Sequence, residues 1–224
     1  MPGPKAAKKI RSDGPLDILL TQLSRVSRFY IYTRESSISS LLTNPPMRTI
    51  PESEFIINSD GSAFHLHVRP EQVSDKIVMM GDPDRVTVAA SFFDTTEWDV
   101  RSREFHTVTG TYKGKRITAL SHGIGTDNID IVLTELDALA NIDFNTRKVK
   151  EEFTQLTMVR VGTSGGMQPH CPVGSYVVSE KSIGFDGLLH YYAGSARVRE
   201  EKFEEAFQRH VNWSPYHCSP YVVS

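Results

Sequence analysis

The residues of this 224-residue chain best suited to chemistry lie in three glycine-bearing stretches. They are Gly81-Asp82-Pro83-Asp84-Arg85, Ser121-His122-Gly123-Ile124-Gly125 and Arg160-Val161-Gly162-Thr163-Ser164-Gly165. Glycine lets a backbone approach an anion closely, and the N–H groups of a helix N-terminus face it with positive potential. Arg85 and Arg160 sit inside two of the stretches, and a guanidinium matches phosphate oxygens in fork geometry. Thr163 adds a hydroxyl donor. Together these groups suggest capture of a phosphate-like anion. The site is not a Walker-type loop, because no GxxxxGK[ST] occurs. Nor is it a dinucleotide fingerprint: no GxGxxG follows the first strand, and Gly123-Ile124-Gly125 lacks its third glycine. Each stretch alone is weak evidence, since glycine turns and solvated arginines are common. Three of them, each after a strand and two bearing arginine, say more.

The elements that must position these loops are those of an α/β fold. Lys76 to Met80 reads as a buried strand, with the Gly81–Arg85 turn opening a helix through Val88 and Ala89. Arg103 to Tyr112, Lys113-Gly114-Lys115 and Arg116 to Ser121 form a β-hairpin pattern. After Gly125 a helix follows, with Ile129, Val132, Leu133, Leu136 and Leu139 along one face. Leu156 to Val161 and Ser175 to Glu180 read as strands, and Glu200 to His210 as a charged surface helix. Tyr221 to Ser224 looks like the start of a further strand. In such a sheet, loops at the carboxyl ends of strands gather into one crevice. A terminal strand with no following helix leaves one face of the sheet bare. The expected fold is therefore a mixed central sheet flanked by helices and truncated at its C-terminus.

Composition narrows the class. The chain is 39% hydrophobic and 23% charged with a formal net charge of -2, which gives no whole-chain signal for nucleic acid or a membrane surface. No apolar run approaches the roughly 18 residues of a membrane span. Cys171 and Cys218, without a CxxC pairing, provide neither a disulfide framework nor a zinc site and suit a reducing, cytoplasmic compartment. No metal site is read from the sequence. Residues 1–46 hold seven basic and three acidic residues, with a Ser-rich run ending in Thr43-Asn44-Pro45-Pro46. They read as a disordered extension ahead of a domain over 47–224. The acidic residues and early prolines weigh against a mitochondrial transit peptide.

The order GDPDR (81–85), REF (103–105), SHGIGTDN (121–128), RVGTSGG (160–166) and FDGLLHYY (185–192) is similar to that of the nucleoside phosphorylases, in their uridine phosphorylase branch. The resemblance runs from Pro51 to the end, and Phe55 to His65 resembles the amino-terminal segment of that branch. It implies that Gly81, Arg85, Arg160, Gly162 and Thr163 hold phosphate, with Arg85, Arg160 and Thr163 in the catalytic machinery. It further implies that Arg103 reaches the phosphate site of a neighbouring subunit. By the same likeness His65 crosses an interface to the ribose 5′-hydroxyl, and Thr163 also touches the nucleoside. Glu104 matches a glutamate linked in some relatives to a monovalent cation, although other positions of that cation site do not match. His122 reads as shaping its turn, and Asp186, His190 and Tyr192 as mainly structural.

The reaction so implied is phosphorolysis of uridine to uracil and ribose 1-phosphate, in a homodimer or larger assembly. Inorganic phosphate is the co-substrate, and no cofactor, nucleic acid or membrane partner is expected. The arginines favour a phosphorylase over the water-using nucleosidases of the same fold. In the family, the residues that read the pyrimidine follow the strand beginning at Tyr221, beyond this chain's last residue. Two alternatives stay open: a non-catalytic truncated subunit pairing with a full-length paralogue, or a phosphorylase for another nucleoside.

Overall fold

Lys76–Met80 folds as strand β1 with both faces covered, as its unbroken apolar run requires. The computed structural model describes residues 49–224; the extension expected at 1–46 lies outside them. The described chain divides into two units, one ending at Gly162 and the other Thr163–Ser224.

In the first unit β1 leads to helix α1 (Pro83–Ala90), then to β2 (Thr95–Ser102), β3 (Phe105–Tyr112) and β4 (Lys115–Ser121). Helix α2 (Thr126–Asn141) follows, then the short pair β5 (Ile142–Asp143) and β6 (Lys148–Val149), and last β7 (Thr157–Arg160). Five strands form one sheet in the order β2-β3-β4-β1-β7. The β2–β3 and β3–β4 pairs are antiparallel, whereas β4–β1 and β1–β7 are parallel. This is the mixed sheet expected from the sequence. The β3–β4 hairpin turns at Lys113 and Gly114, both at positive φ (48° and 72°), the backbone of a turn matched to strand twist. Strand β2 was not legible in the sequence. It is an edge strand with exposed Glu97, Asp99 and Arg101, and such polar edges carry little hydrophobic pattern.

Side-chain alternation splits the core across the sheet. Ile77, Met79 and Leu120 point to one face, where they pack with Leu66, Val132, Leu136 and Leu139. Val78, Met80, Val108, Ile117 and Ala119 point to the other, against Val86 and Ala89 of α1. Full burial of each large aliphatic side chain contributes about 1.5–3 kcal/mol, so the two helices fix both faces of the strands that end at the loops.

The second unit holds β8 (Ser182–Gly184), helix α3 (Glu201–Val211) and β9 (Tyr221–Val223), with β8 and β9 antiparallel. The strand expected over Ser175–Glu180 is not formed. Tyr176, Val177 and Val178 are 82%, 61% and 67% exposed, and none of the described residues pairs with them. Apolar, β-branched composition gives a segment strand propensity, but a strand exists only where a ladder partner accepts its backbone. Residues 182–184 have that partner in β9. Val222 is fully buried, and its N–H donates to Glu204 of α3 at 2.8 Å. Asp186 accepts from the Tyr221 hydroxyl (2.9 Å) and the Leu188 N–H (2.8 Å). Burial first, then the neighbouring Asp186 carboxylate, pushes the Tyr221 phenol up to about 12. Among the described residues no helix is long and apolar enough to cross a membrane.

Candidate anion site at three strand ends

Strand register decides which loops meet. Met80 pairs with Ser121 across the β1–β4 ladder, and Met79 with Arg160 across β1–β7. Beyond the ladders, the His122 N–H donates to the Met80 carbonyl at 2.9 Å and the Val161 N–H to the Met79 carbonyl at 2.7 Å. The chain therefore leaves three adjacent parallel strands at one sheet edge, at Gly81, His122 and Val161. A Cβ on Gly81 would sit 3.5 Å from the Gly123 carbonyl oxygen and 3.8 Å from His122 Cε1, so the first two loops abut.

Arg85 reaches this edge through α1. Asp82 caps the helix, accepting from the Asp84 N–H at 2.9 Å, and Pro83 fills the first turn without wasting a donor. Such a cap is worth about 1 kcal/mol. Arg85 lies in that first turn, exposed, and its guanidinium has no hydrogen-bond or ion-pair partner among the described residues.

Arg160 is held differently. Its Nε donates to His122 Nε2 at 2.9 Å, and its guanidinium curls back over Gly162. A Cβ at Gly162 would lie 2.5 Å from Arg160 Nη1, which is why this position suits glycine. His122 itself is 2% exposed. Burial, and then the positive charge of Arg160, holds its pKa below the ordinary 6.5. The histidine does more than shape a turn.

The β2–β3 turn joins the same edge from the other side. Ser121 Oγ donates to the Glu104 carbonyl at 2.8 Å, and Asn128 Nδ2 donates to Glu104 Oε1 at 2.9 Å. Gly123, at φ 69°, fits between them: a Cβ there would lie 2.7 Å from Asn128 Nδ2 and 2.8 Å from Glu104 Cγ. Arg103 has left-handed backbone (φ 54°), costly for a non-glycine residue, and its guanidinium lies 5.7 Å from the Phe64 ring centre. Phe64 in turn meets His65 edge-on at 4.8 Å. His65 Nδ1 is 2.7 Å from Glu135 Oε1, while the backbone N–H groups of His65 and Leu66 donate to the same carboxylate at 3.0 and 2.9 Å. A carboxylate facing a ring nitrogen acts as the acceptor, so Nδ1 donates and Nε2 is the nitrogen not engaged by Glu135.

Gly81, Arg85, Arg160 and Gly162 thus share one sheet edge, while Arg103 and His65 form a second group joined by Phe64. Thr163 opens the second unit and is exposed. Sequence reading passed over Phe64, Asn128 and Glu135. Glu135 did leave a signal: it is a carboxylate between Val132 and Leu136 on the apolar side of α2, and it is 5% exposed.

A model of the Phosphorylase superfamily matches residues 75–224. A uridine phosphorylase of Thermococcus kodakarensis is 29% identical over 59% of this chain and 43% of its own length. The uridine phosphorylase of Escherichia coli is 31% identical over 60% and 49%, respectively. A DeoD-type purine nucleoside phosphorylase of Roseobacter denitrificans is 34% identical over 52% and 44%. The chain spans about half the length of these curated relatives. Among solved structures, a Trypanosoma brucei nucleoside phosphorylase, described as showing uridine phosphorylase activity, superposes with a TM-score of 0.62 at 28% identity. That match covers 75% of this chain and 57% of the other.

Proposed function

Because this chain belongs to the Phosphorylase superfamily, we propose that it carries the phosphate-binding half of a uridine phosphorylase. What supports the reading is that Gly81, Arg85 and Arg160 follow or end neighbouring strands at the carboxyl edge of a parallel set. Two positive side chains without a carboxylate partner, beside a capped helix N-terminus, suit a dianion. Gly162 extends the cradle along the chain, and Thr163 is proposed as its hydroxyl donor on the family resemblance of residues 160–166 alone. Arg103 and His65, tied to each other through Phe64, serve the site of an adjoining subunit in a homodimer or larger assembly.

In the reaction a phosphate oxygen attacks C1′ of uridine. The C1′–N1 bond breaks, its electron pair leaves on uracil N1, and N1 takes a proton from solvent. The products are uracil and ribose 1-phosphate. Charge at the anomeric carbon is oxocarbenium-like, by analogy with glycoside cleavage, and the bound dianion stabilises it. Arg85 and Arg160 neutralise and aim that dianion, so the protein's share is positioning and electrostatics. His65, held by Glu135 through Nδ1, meets the ribose 5′-hydroxyl with its other ring nitrogen. No cofactor beyond phosphate enters this scheme, which fits a cytoplasmic salvage enzyme.

Uridine is chosen over purine nucleosides on the amino-terminal segment and the uridine phosphorylases among the relatives. The test supplies uridine, inosine and phosphate to the protein and follows base release, repeating it in phosphate-free buffer. Uracil release that requires phosphate is the expected result. Release at the same rate without phosphate refutes the phosphorylase, and a preference for inosine refutes the choice of uridine.

A further inference from the structure

Arg160 is exposed, and an exposed arginine ordinarily samples many rotamers. Here two features remove that freedom. Its Nε hydrogen is spent on His122 Nε2 at 2.9 Å. The guanidinium plane also occupies the space above Gly162 that any side chain there would fill. With Nε engaged, the end-on fork of Nη1 and Nη2 remains, and neither has a hydrogen-bond partner among the described residues.

The partner is chemically unusual. A guanidinium offers donors and no acceptor, so the ring nitrogen it faces must carry a lone pair. His122 is therefore neutral, with its proton on Nδ1. That Nδ1 is buried and makes no hydrogen bond among the described residues, although the Gly123 and His122 carbonyls lie close enough to favour its proton electrostatically. A buried donor without a well-formed hydrogen bond is unfavourable, and such groups call for a functional account. A protonated ring would be worse still, since it would turn a second N–H toward a permanent cation. Of charged groups facing the ring, Arg160 is the one whose field acts on it. Glu104 stands one loop away, against Gly123 and Asn128.

We infer that His122 is a positioning residue for the anion site, a neutral imidazole that fixes Arg160 by its Nε so that the Nη1/Nη2 pair faces bound phosphate. The inference rests on the phosphate reading above and deepens it: it assigns one orientation of one guanidinium to a residue that touches neither substrate nor product. Glutamine places an acceptor oxygen near where Nε2 stands, whereas leucine supplies bulk without an acceptor and asparagine is too short to reach.

The experiment measures inorganic phosphate binding to the full chain by calorimetry, for wild type, His122→Gln, His122→Leu, Arg160→Gln and the Arg160→Gln/His122→Leu double variant. Wild type binds phosphate, His122→Leu weakens it about tenfold, the scale of one charge-assisted contact misaligned, and His122→Gln recovers to within about threefold. In the Arg160→Gln background, loss of His122 has no further effect, since nothing is left to aim. If His122→Leu fails to fold, His122→Asn takes its place beside His122→Gln, with the same order expected. Failure of wild type to bind phosphate overturns the phosphate reading and this inference with it. Binding by wild type that His122→Leu leaves unchanged overturns the inference alone. So does a glutamine variant as weak as the leucine or asparagine one, or a full additional loss in the Arg160→Gln background.

Discussion

The two units use similar residues to opposite ends. Up to Gly162 the β-branched and aliphatic runs are buried: Ile77, Leu120 and Val132 are at most 1% exposed. From Thr163 onward an equally apolar run, Tyr176-Val177-Val178, stands mostly exposed, and Val222 is the one hydrophobic side chain of that unit in the buried core. Composition is alike, so composition does not decide burial. Ladder partners and covering helices do: β1 has strands on both sides and a helix on each face, whereas residues 175–180 have neither among the described residues. The second unit is held by the aromatic cluster of Phe185, Phe207 and Trp213 and by polar contacts. Glu204, 2% exposed, accepts from the Arg199 guanidinium and from the Val222 N–H.

This contrast can be broken by substitution. Leu120→Ala should destabilise the protein by about 2–5 kcal/mol in denaturant unfolding, the cost of a cavity in a packed core. Val177→Ala should stay within about 0.5 kcal/mol; equal losses would show that the exposed run is packed after all. Glu135→Ala comes next, at roughly 2–4 kcal/mol, because it strands two backbone N–H groups and the His65 ring proton. A loss as small as that of Val177→Ala would remove Glu135 from the support of His65.

Smaller effects sharpen the comparison. The Arg199 hydrogen bonds hold the Glu204 carboxyl below the ordinary 4.5, against burial that pushes the other way. A depressed carboxylate stabilises the fold above its unfolded pKa and loses that contribution as pH falls through the folded value. Glu204→Gln should therefore lose about 1–2 kcal/mol at neutral pH, with the gap to wild type closing as pH falls through the folded pKa of Glu204. His122 has the same sign at a higher pH. Its lowered pKa means the unfolded chain binds a proton that the folded one resists, so stability declines as pH falls below about 6.5. His122→Gln should flatten that decline in pH-dependent melting curves. Gly162→Ala, last, should change stability by less than about 0.5 kcal/mol, with Arg160 swung off its present path.

Much of this was legible. The strand–glycine–arginine sequence at 76–85 and 156–162 placed two loops on one sheet edge, because parallel strands of a sheet expose their carboxyl ends together. The hairpin at 103–121 was marked by Lys113-Gly114. What escaped had physical causes. Strand β2 is a polar edge without hydrophobic alternation. The run at 175–180 has propensity without pairing. His122 and Glu135 act through contacts to residues 38 and 70 positions away, and no local spacing rule reaches that far.

The claim on which the rest depends is that Arg85 and Arg160 serve one anion. A crystal structure of the protein grown with tungstate, a heavy phosphate mimic located by its anomalous signal, tests it most directly. The account predicts a single peak at the carboxyl edge of β1 and β7, bonded to Arg160 Nη1 and Nη2 and within reach of Arg85. A peak bound by only one of the two arginines, or by neither, contradicts it.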